Sequence, residues 1–203
     1  MDELQLVNRL RRIHAALDAT VEVDLGKLEA KLIETEHGNS VYQDFSGGLS
    51  PEELENLAFS LIHNIANLHD HLRRWAARTD ARKEDDIDDA FHKSLPLKIM
   101  KDLSNVDKHG PTRNRGFSGL APRLEGVRRS LRITAKPKKG VEITMGPRGT
   151  PQLTGEGSAK AILTGEVVDS DGNRIGELMG LATAAITAWE TVARDLGLQV
   201  QDT

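Results

Sequence analysis

Leu6, Leu10, Ile13 and Leu17 recur at i, i+4, i+7 and i+11, the spacing that lines one side of a helix, and predict a helix over residues 2–19. The pattern weakens from 20 to 48. There Leu25, Leu28 and Leu32 predict a second, short helix, while Gly38, Asn39, Gly47 and Gly48 predict a loop that Tyr42 and Phe45 pin to the core. Ser50-Pro51-Glu52-Glu53 combines a hydroxyl cap, proline at the first helical position and a glutamate that reaches back, so a long helix over 51–78 is expected. Its apolar face is Leu54, Leu57, Ala58, Leu61, Ile65, Leu68 and Leu72. An acidic helix follows over 81–92. Ser94-Leu95-Pro96 opens a further helix, which ends at His109 because Gly110-Pro111 cannot continue the hydrogen-bond ladder.

Beyond a loop of Gly, Arg and Pro the period changes to alternation. Val127, Leu131 and Ile133, then Val141, Ile143 and Met145 across the Lys136–Gly140 turn, predict a hairpin. Residues 161–168 predict a third strand, 146–157 a mobile loop, and Asp169-Ser170-Asp171-Gly172-Asn173 a turn rather than a calcium loop, since the sixth-position Gly and twelfth-position Glu are missing. The last helix spans 177–196, with Leu178, Leu181, Ala185, Trp189, Val192 and Leu196 in one stripe. The expected fold is mainly α: an up-and-down helical bundle with a small antiparallel β-hairpin or sheet appendage inserted before the C-terminal helix. The organisation read from this order is a helical bundle over 1–110, a basic loop and β appendage over 111–175, and a closing helix over 176–203.

Composition narrows the class without naming an activity. The 203 residues are 38% hydrophobic and 29% charged, which excludes a disordered chain. The absence of Cys excludes disulfide scaffolds, thiolate nucleophiles and Cys-ligated zinc. The longest apolar stretch, Leu178–Trp189, is too short to cross a bilayer, and the N-terminus lacks the order of a secretory signal, so a cytoplasmic protein with no membrane partner is expected. Charge is unevenly spread. Between Lys108 and Lys139 stand ten basic residues and one acid, Glu125, a local +9; the other 17 basic and 30 acidic residues give −13, restoring the net −4. A basic stripe on an acidic body fits a phosphate backbone, or docking of the stripe on the acidic 84–89 helix of the same chain or a second copy. Phe117 is the one aromatic among these residues, which speaks against a platform that stacks many bases.

Chemistry concentrates on the helix ending at His109. Lys98, Asp102, Asn105 and His109 fall on one side of it, bringing an amine, a carboxylate, an amide and an imidazole together. Arg113 and Arg115 follow and could hold a phosphodiester beside that imidazole. Attack by a 2′-hydroxyl needs only positioning, a proton shuttle and charge stabilisation. Ser104-Asn105-Val106-Asp107-Lys108-His109 resembles the R-x(4 to 6)-H signature of HEPN proteins, with Asn105 at the polar position, His109 at the histidine and Ser104 where the motif has Arg. The resemblance implies a four- or five-helix bundle that pairs as a homodimer to build a composite, metal-independent ribonuclease site, in a family common in toxin–antitoxin and antiphage systems. It implies Asn105 and His109 in the site. Asp102 would orient the imidazole, and Lys108, Arg113, Arg115, Arg128, Arg129, Arg132, Lys138 and Lys139 would bind RNA. Partners so implied are RNA, a second copy and a cognate protein; no cofactor or metal is implied. Serine cannot supply the bidentate clamp of an arginine. Two readings follow: an RNA-binding protein with or without nuclease activity, or a non-enzymatic dimeric interaction module in which the polar stripe is structural.

His63, Asn67 and His71 on the long helix drift too far around it to chelate a metal, and His69 reads as a satisfied histidine at the edge of the core. Asn64, Asn67 and His71 are placed to meet Asn105 and His109 across the bundle as a polar network.

Overall fold

The computed structural model describes residues 3–18, 21–22, 30–35, 38–43, 45–80, 82–110, 115–135, 140–145 and 151–198. The elements run α1 (Glu3–Asp18), β1 (Val21–Glu22), β2 (Ala30–Thr35), β3 (Gly38–Gln43), α2 (Pro51–Thr79), α3 (Arg82–Lys93), α4 (Leu95–His109), β4 (Arg123–Ala135), β5 (Val141–Met145), β6 (Pro151–Gly155), β7 (Gly157–Val168), β8 (Arg174–Glu177) and α5 (Leu178–Asp195). The fold is mainly α, a helical bundle with a small β appendage before the C-terminal helix, as the periodicity predicts. No helix among the described residues is long and apolar enough to cross a membrane.

Two compact units divide the chain. One comprises Met1–Asp18, Glu55–Val127 and Thr164–Thr203, and the other Ala19–Leu54 and Arg128–Leu163. Residues 19–54 therefore group with the β-rich stretch, and the helical unit is not the continuous run 1–110.

In the helical unit, α5 packs against α1, α3 and α4. Leu6, Leu10 and Ile13 of α1, Ile62, Ile65, Leu68 and Leu72 of α2, Ile87 and Phe91 of α3, Leu97, Ile99, Met100 and Leu103 of α4, and Leu178, Ile186 and Trp189 of α5 are all buried. Trp189 enters the core with its indole N–H satisfied, donating to the Ile65 carbonyl at 3.3 Å. Leu57, expected on the buried face of α2, is 47% exposed. Trp75, five turns further along the same side, is buried, and Lys83 of α3 lies over its ring, 5.0 Å from the centroid. Cover, not azimuth alone, decides burial on that flank.

The expected capping box at α2 is present: Ser50 N–H donates to Glu53 Oε2 at 2.8 Å and Glu53 N–H to Ser50 Oγ at 3.2 Å. Ser94 starts α4 without any side-chain cap bond, so Pro96 in the first turn marks that start alone. At the other end Gly110 takes φ +74° and donates its N–H to Val106 O at 2.8 Å.

The β-rich unit departs from expectation in two places. Where Leu25, Leu28 and Leu32 predict a short helix and Gly38 and Asn39 a loop, β2 and β3 form an antiparallel hairpin pairing Leu32 with Val41 and Ile33 with Ser40. The β-formers Ile33, Thr35, Val41 and Tyr42 outweigh the spacing of the leucines, of which Leu25 and Leu28 lie outside the described residues. The expected hairpin of β4 with β5 is also replaced. β5 pairs with β6, from Val141 opposite Gly155 to Met145 opposite Pro151, and β4 lies beside β7. Residues 151–155 are thus a strand, not loop, because alternation on β5 needs a partner and Gln152, Leu153 and Thr154 supply one locally. The turn at 136–139 and residues 146–150 lie outside the described residues. The third strand is found as β7, and the Asp169 turn as expected: its carboxylate accepts from Asp171 N–H, Asn173 N–H and Asn173 Nδ2 at 2.9, 2.8 and 3.0 Å. Those bonds hold the carboxyl below the usual carboxylate range.

Candidate functional site

Each residue of a helix turns the chain by about 100°, so neighbouring positions on α4 serve different sides. Ser104, Asp107 and Lys108 face α2. His63 Nδ1 lies 2.7 Å from Ser104 Oγ and His63 Nε2 lies 2.8 Å from Asp107 Oδ2, while Lys108 Nζ donates to Asn67 Oδ1 at 3.5 Å. A carboxylate only accepts, so Nε2 carries the proton toward Asp107, and in the neutral ring the Ser104 hydroxyl donates to Nδ1. Ser104 is 1% exposed. The position at which the resembled motif has arginine is therefore committed to helix packing. A cross-helix polar network exists, built from His63, Ser104, Asp107, Asn67 and Lys108 rather than from His71 and His109.

Asp102, Asn105 and Val106 occupy another side of α4, where they line an open pocket of about 520 Å³ together with Arg115, Gly116, Phe117, Ala121, Pro122, Arg123 and Ser170. The loop from 115 to 121 forms one wall, and its shape is dictated by Asp102. That carboxylate, 3% exposed, accepts Phe117 N–H at 2.7 Å and Ser118 N–H at 2.8 Å. Asp102 was expected to orient the His109 imidazole. Instead both of its oxygens hold loop backbone, because a buried carboxylate next to unpaired amides binds them in preference to an exposed ring. Gly116 has φ +74°, and a Cβ there would fall inside the Asp102 carboxylate, so only glycine passes this point. Ala121 N–H closes the loop on the Arg115 carbonyl at 2.9 Å, with Ala121 itself at φ +48°. Ser170 N–H, on the turn between β7 and β8, donates to Leu120 O at 3.1 Å and braces the wall from outside.

Asn105 is half-buried in this pocket, and Arg115 is exposed at it. Neither side chain has a hydrogen-bond or ion-pair partner among the described residues. Arg123 adds a second guanidinium, 54% exposed and 3.8 Å from Glu125 Oε1, a separation at which an exposed pair contributes little. Phe117 is 49% exposed, its ring held edge-on to Phe91 at 5.4 Å between centroids. Phe91 in turn packs on His69, whose Nε2 is 2.8 Å from Asp88 Oδ1 and whose ring stacks on Trp189, the satisfied core-edge histidine expected.

The expected site residues thus separate. Asn105 and Arg115 share the pocket. His109, one turn beyond Asn105, is exposed and outside the lining. Arg128, Arg129 and Arg132 belong to the second unit, where Arg128 and Arg132 are exposed and Arg129 Nη1 donates to the Ser46 carbonyl at 3.0 Å. Arg113, Lys138 and Lys139 lie outside the described residues. Gly116, Phe117, Arg123 and Ser170 were not singled out as site residues from sequence. A buried-side Asp on a helix followed by Gly-Phe-Ser-Gly is the signal that would have pointed to the loop. No group of three or more His, Asp or Glu able to hold a metal occurs among the described residues. Compared with known protein families, curated proteins and solved structures, the chain matches none of them.

Proposed function

We propose that this chain is a HEPN-like, cytoplasmic RNA-binding protein that holds RNA without cutting it. The observation carrying this reading is the pocket in which Asn105, Arg115 and Arg123 meet, two cationic forks and an amide beside an apolar wall. Cleavage would need a proton shuttle at the same place. Support for a non-cleaving role comes from Ser104 and Asp102, whose side chains are occupied by His63 and by loop amides, and from His109, which stands outside the lining.

The test is binding of labelled single-stranded RNA at salt from about 50 to 200 mM, with cleavage followed on gels. Expected is an affinity that falls with a log–log slope of about −0.7, the value for one phosphate shared by the two guanidiniums, and that the Arg115→Gln/Arg123→Gln double variant loses. Wild type and His109→Ala should leave the RNA equally intact. RNA cut by wild type and spared by His109→Ala would restore the nuclease reading. No binding at the lowest salt would remove RNA and leave the interaction module.

A further inference from the structure

The pocket has a composition that selects among anionic ligands. Most of its wall is apolar, from Val106, Phe117, Ala121 and Pro122, while its positive charge comes from Arg115 and Arg123, with one carboxylate, Asp102, in the lining. A bare phosphate or sulfate would use the guanidiniums and leave that apolar wall wet. A purely apolar ligand would leave both cations and the Asn105 amide unanswered. The ligand that answers all three carries a flat, partly apolar ring with hydrogen-bonding edges, joined to a phosphate. At about 520 Å³ the space is within the roughly 300–1,000 Å³ usual for small organic ligands, too small for a duplex.

We infer that this pocket binds a single nucleoside monophosphate unit, its base against Phe117, its base edge read by the Asn105 amide and its phosphate held by Arg115 and Arg123. This deepens the RNA-binding reading and rests on it for the ligand's source. The unit is supplied either as a free nucleotide or as one nucleotide drawn out of an RNA strand. One exposed ring suffices for one base, so a lone aromatic within the basic stretch, too few for a stacking platform, suits this site. The Asp102 carboxylate does not oppose the phosphate directly, since its oxygens are turned into the Phe117 and Ser118 amides. Those amides fix where the ring stands: the residue carrying the stacking surface is bonded through its own backbone N–H to α4, the helix that presents Asn105. The site is thereby preorganised, with the ring held before any ligand arrives.

The full chain, labelled with 15N, is titrated with AMP, UMP, adenosine and inorganic phosphate, and AMP is then used to compete with labelled single-stranded and duplex RNA of one sequence. Expected are shifts of the Asn105 side-chain NH2 and of the Phe117 and Ser118 amides with AMP or UMP, and affinities about tenfold lower for adenosine and for phosphate alone. Phe117→Ala should weaken AMP about tenfold and Phe117→Tyr should restore it, with the Ser118 amide keeping its hydrogen-exchange protection in both variants, which separates loss of the stacking ring from loss of loop structure. Arg123→Gln, at an exposed position, should weaken AMP but not adenosine. AMP that binds and displaces single-stranded RNA, with duplex bound more weakly, supports both readings with RNA as the source. If AMP binds at these amides while RNA does not bind at all, the pocket stands as a free-nucleotide site and the RNA reading falls. RNA that binds without AMP binding or competing overturns the pocket inference and leaves RNA binding in place. Binding by neither ends both.

Discussion

The imidazole of His63 and the hydroxyl of Ser104 meet at 2.7 Å between α2 and α4, with Asp107 holding the other ring nitrogen at 2.8 Å. Register between the two helices depends on this short chain of bonds. Ser104→Ala should cost about 1 kcal/mol, since the half-buried ring nitrogen loses its donor. Ser104→Arg, which installs the residue of the resembled motif, should cost more, about 3 kcal/mol, by forcing a long side chain into a 1%-exposed position and drawing Asp107 away from His63. Urea denaturation of the three proteins checks the order. A stable Ser104→Arg variant would show that the side chain escapes to solvent.

The loop wall is a second point of sensitivity. Asp102→Ala leaves two amides without acceptors and should remove hydrogen-exchange protection at Phe117 and Ser118 while α4 keeps its own. The global cost should be about 1–3 kcal/mol. Gly116→Ala should release the same amides, because its methyl group displaces the carboxylate. Unchanged protection in both variants would mean that the loop holds itself without α4.

His71 sets a pH dependence. Burial first, then the charges of Arg9 and Arg74, push its imidazole below the ordinary 6.5, with Asp70 opposing, and its buried Nδ1 has no hydrogen-bond partner among the described residues. The unfolded chain therefore takes up the proton more readily than the folded one, so this residue makes the fold less stable as pH falls through about 6.5 and contributes no such loss well above it. In His71→Gln that part disappears. Denaturation midpoints of wild type and variant, compared from about pH 7.5 to 5, should diverge on the acid side in favour of the variant, and parallel curves would refute the assignment.

Two serines in similar sequence settings should behave differently. Ser50→Ala removes one half of a formed capping box and should cost about 1 kcal/mol. Ser94→Ala should be close to neutral, because that hydroxyl makes no cap bond. Equal losses in thermal unfolding would contradict the geometry at one of the two helix starts.

Local rules were enough for the five long helices, their starts at Ser50 and Ser94, the stop at Gly110, the strand over 161–168 and the turn over 169–173. In each of these the information lies within a few residues: a 3.6-residue period, a cap, a glycine. Asn105 and Arg115 were also visible as neighbours in function, since one helix and the loop after it carry both. Tertiary packing decided the rest. Which strand pairs with β5, whether Leu57 or Trp75 is covered, and whether Asp102 turns to His109 or to the Phe117 and Ser118 amides depend on groups distant along the chain or on a loop path that periodicity does not encode. A buried carboxylate takes the donors that reach it, and only the folded backbone determines which donors those are.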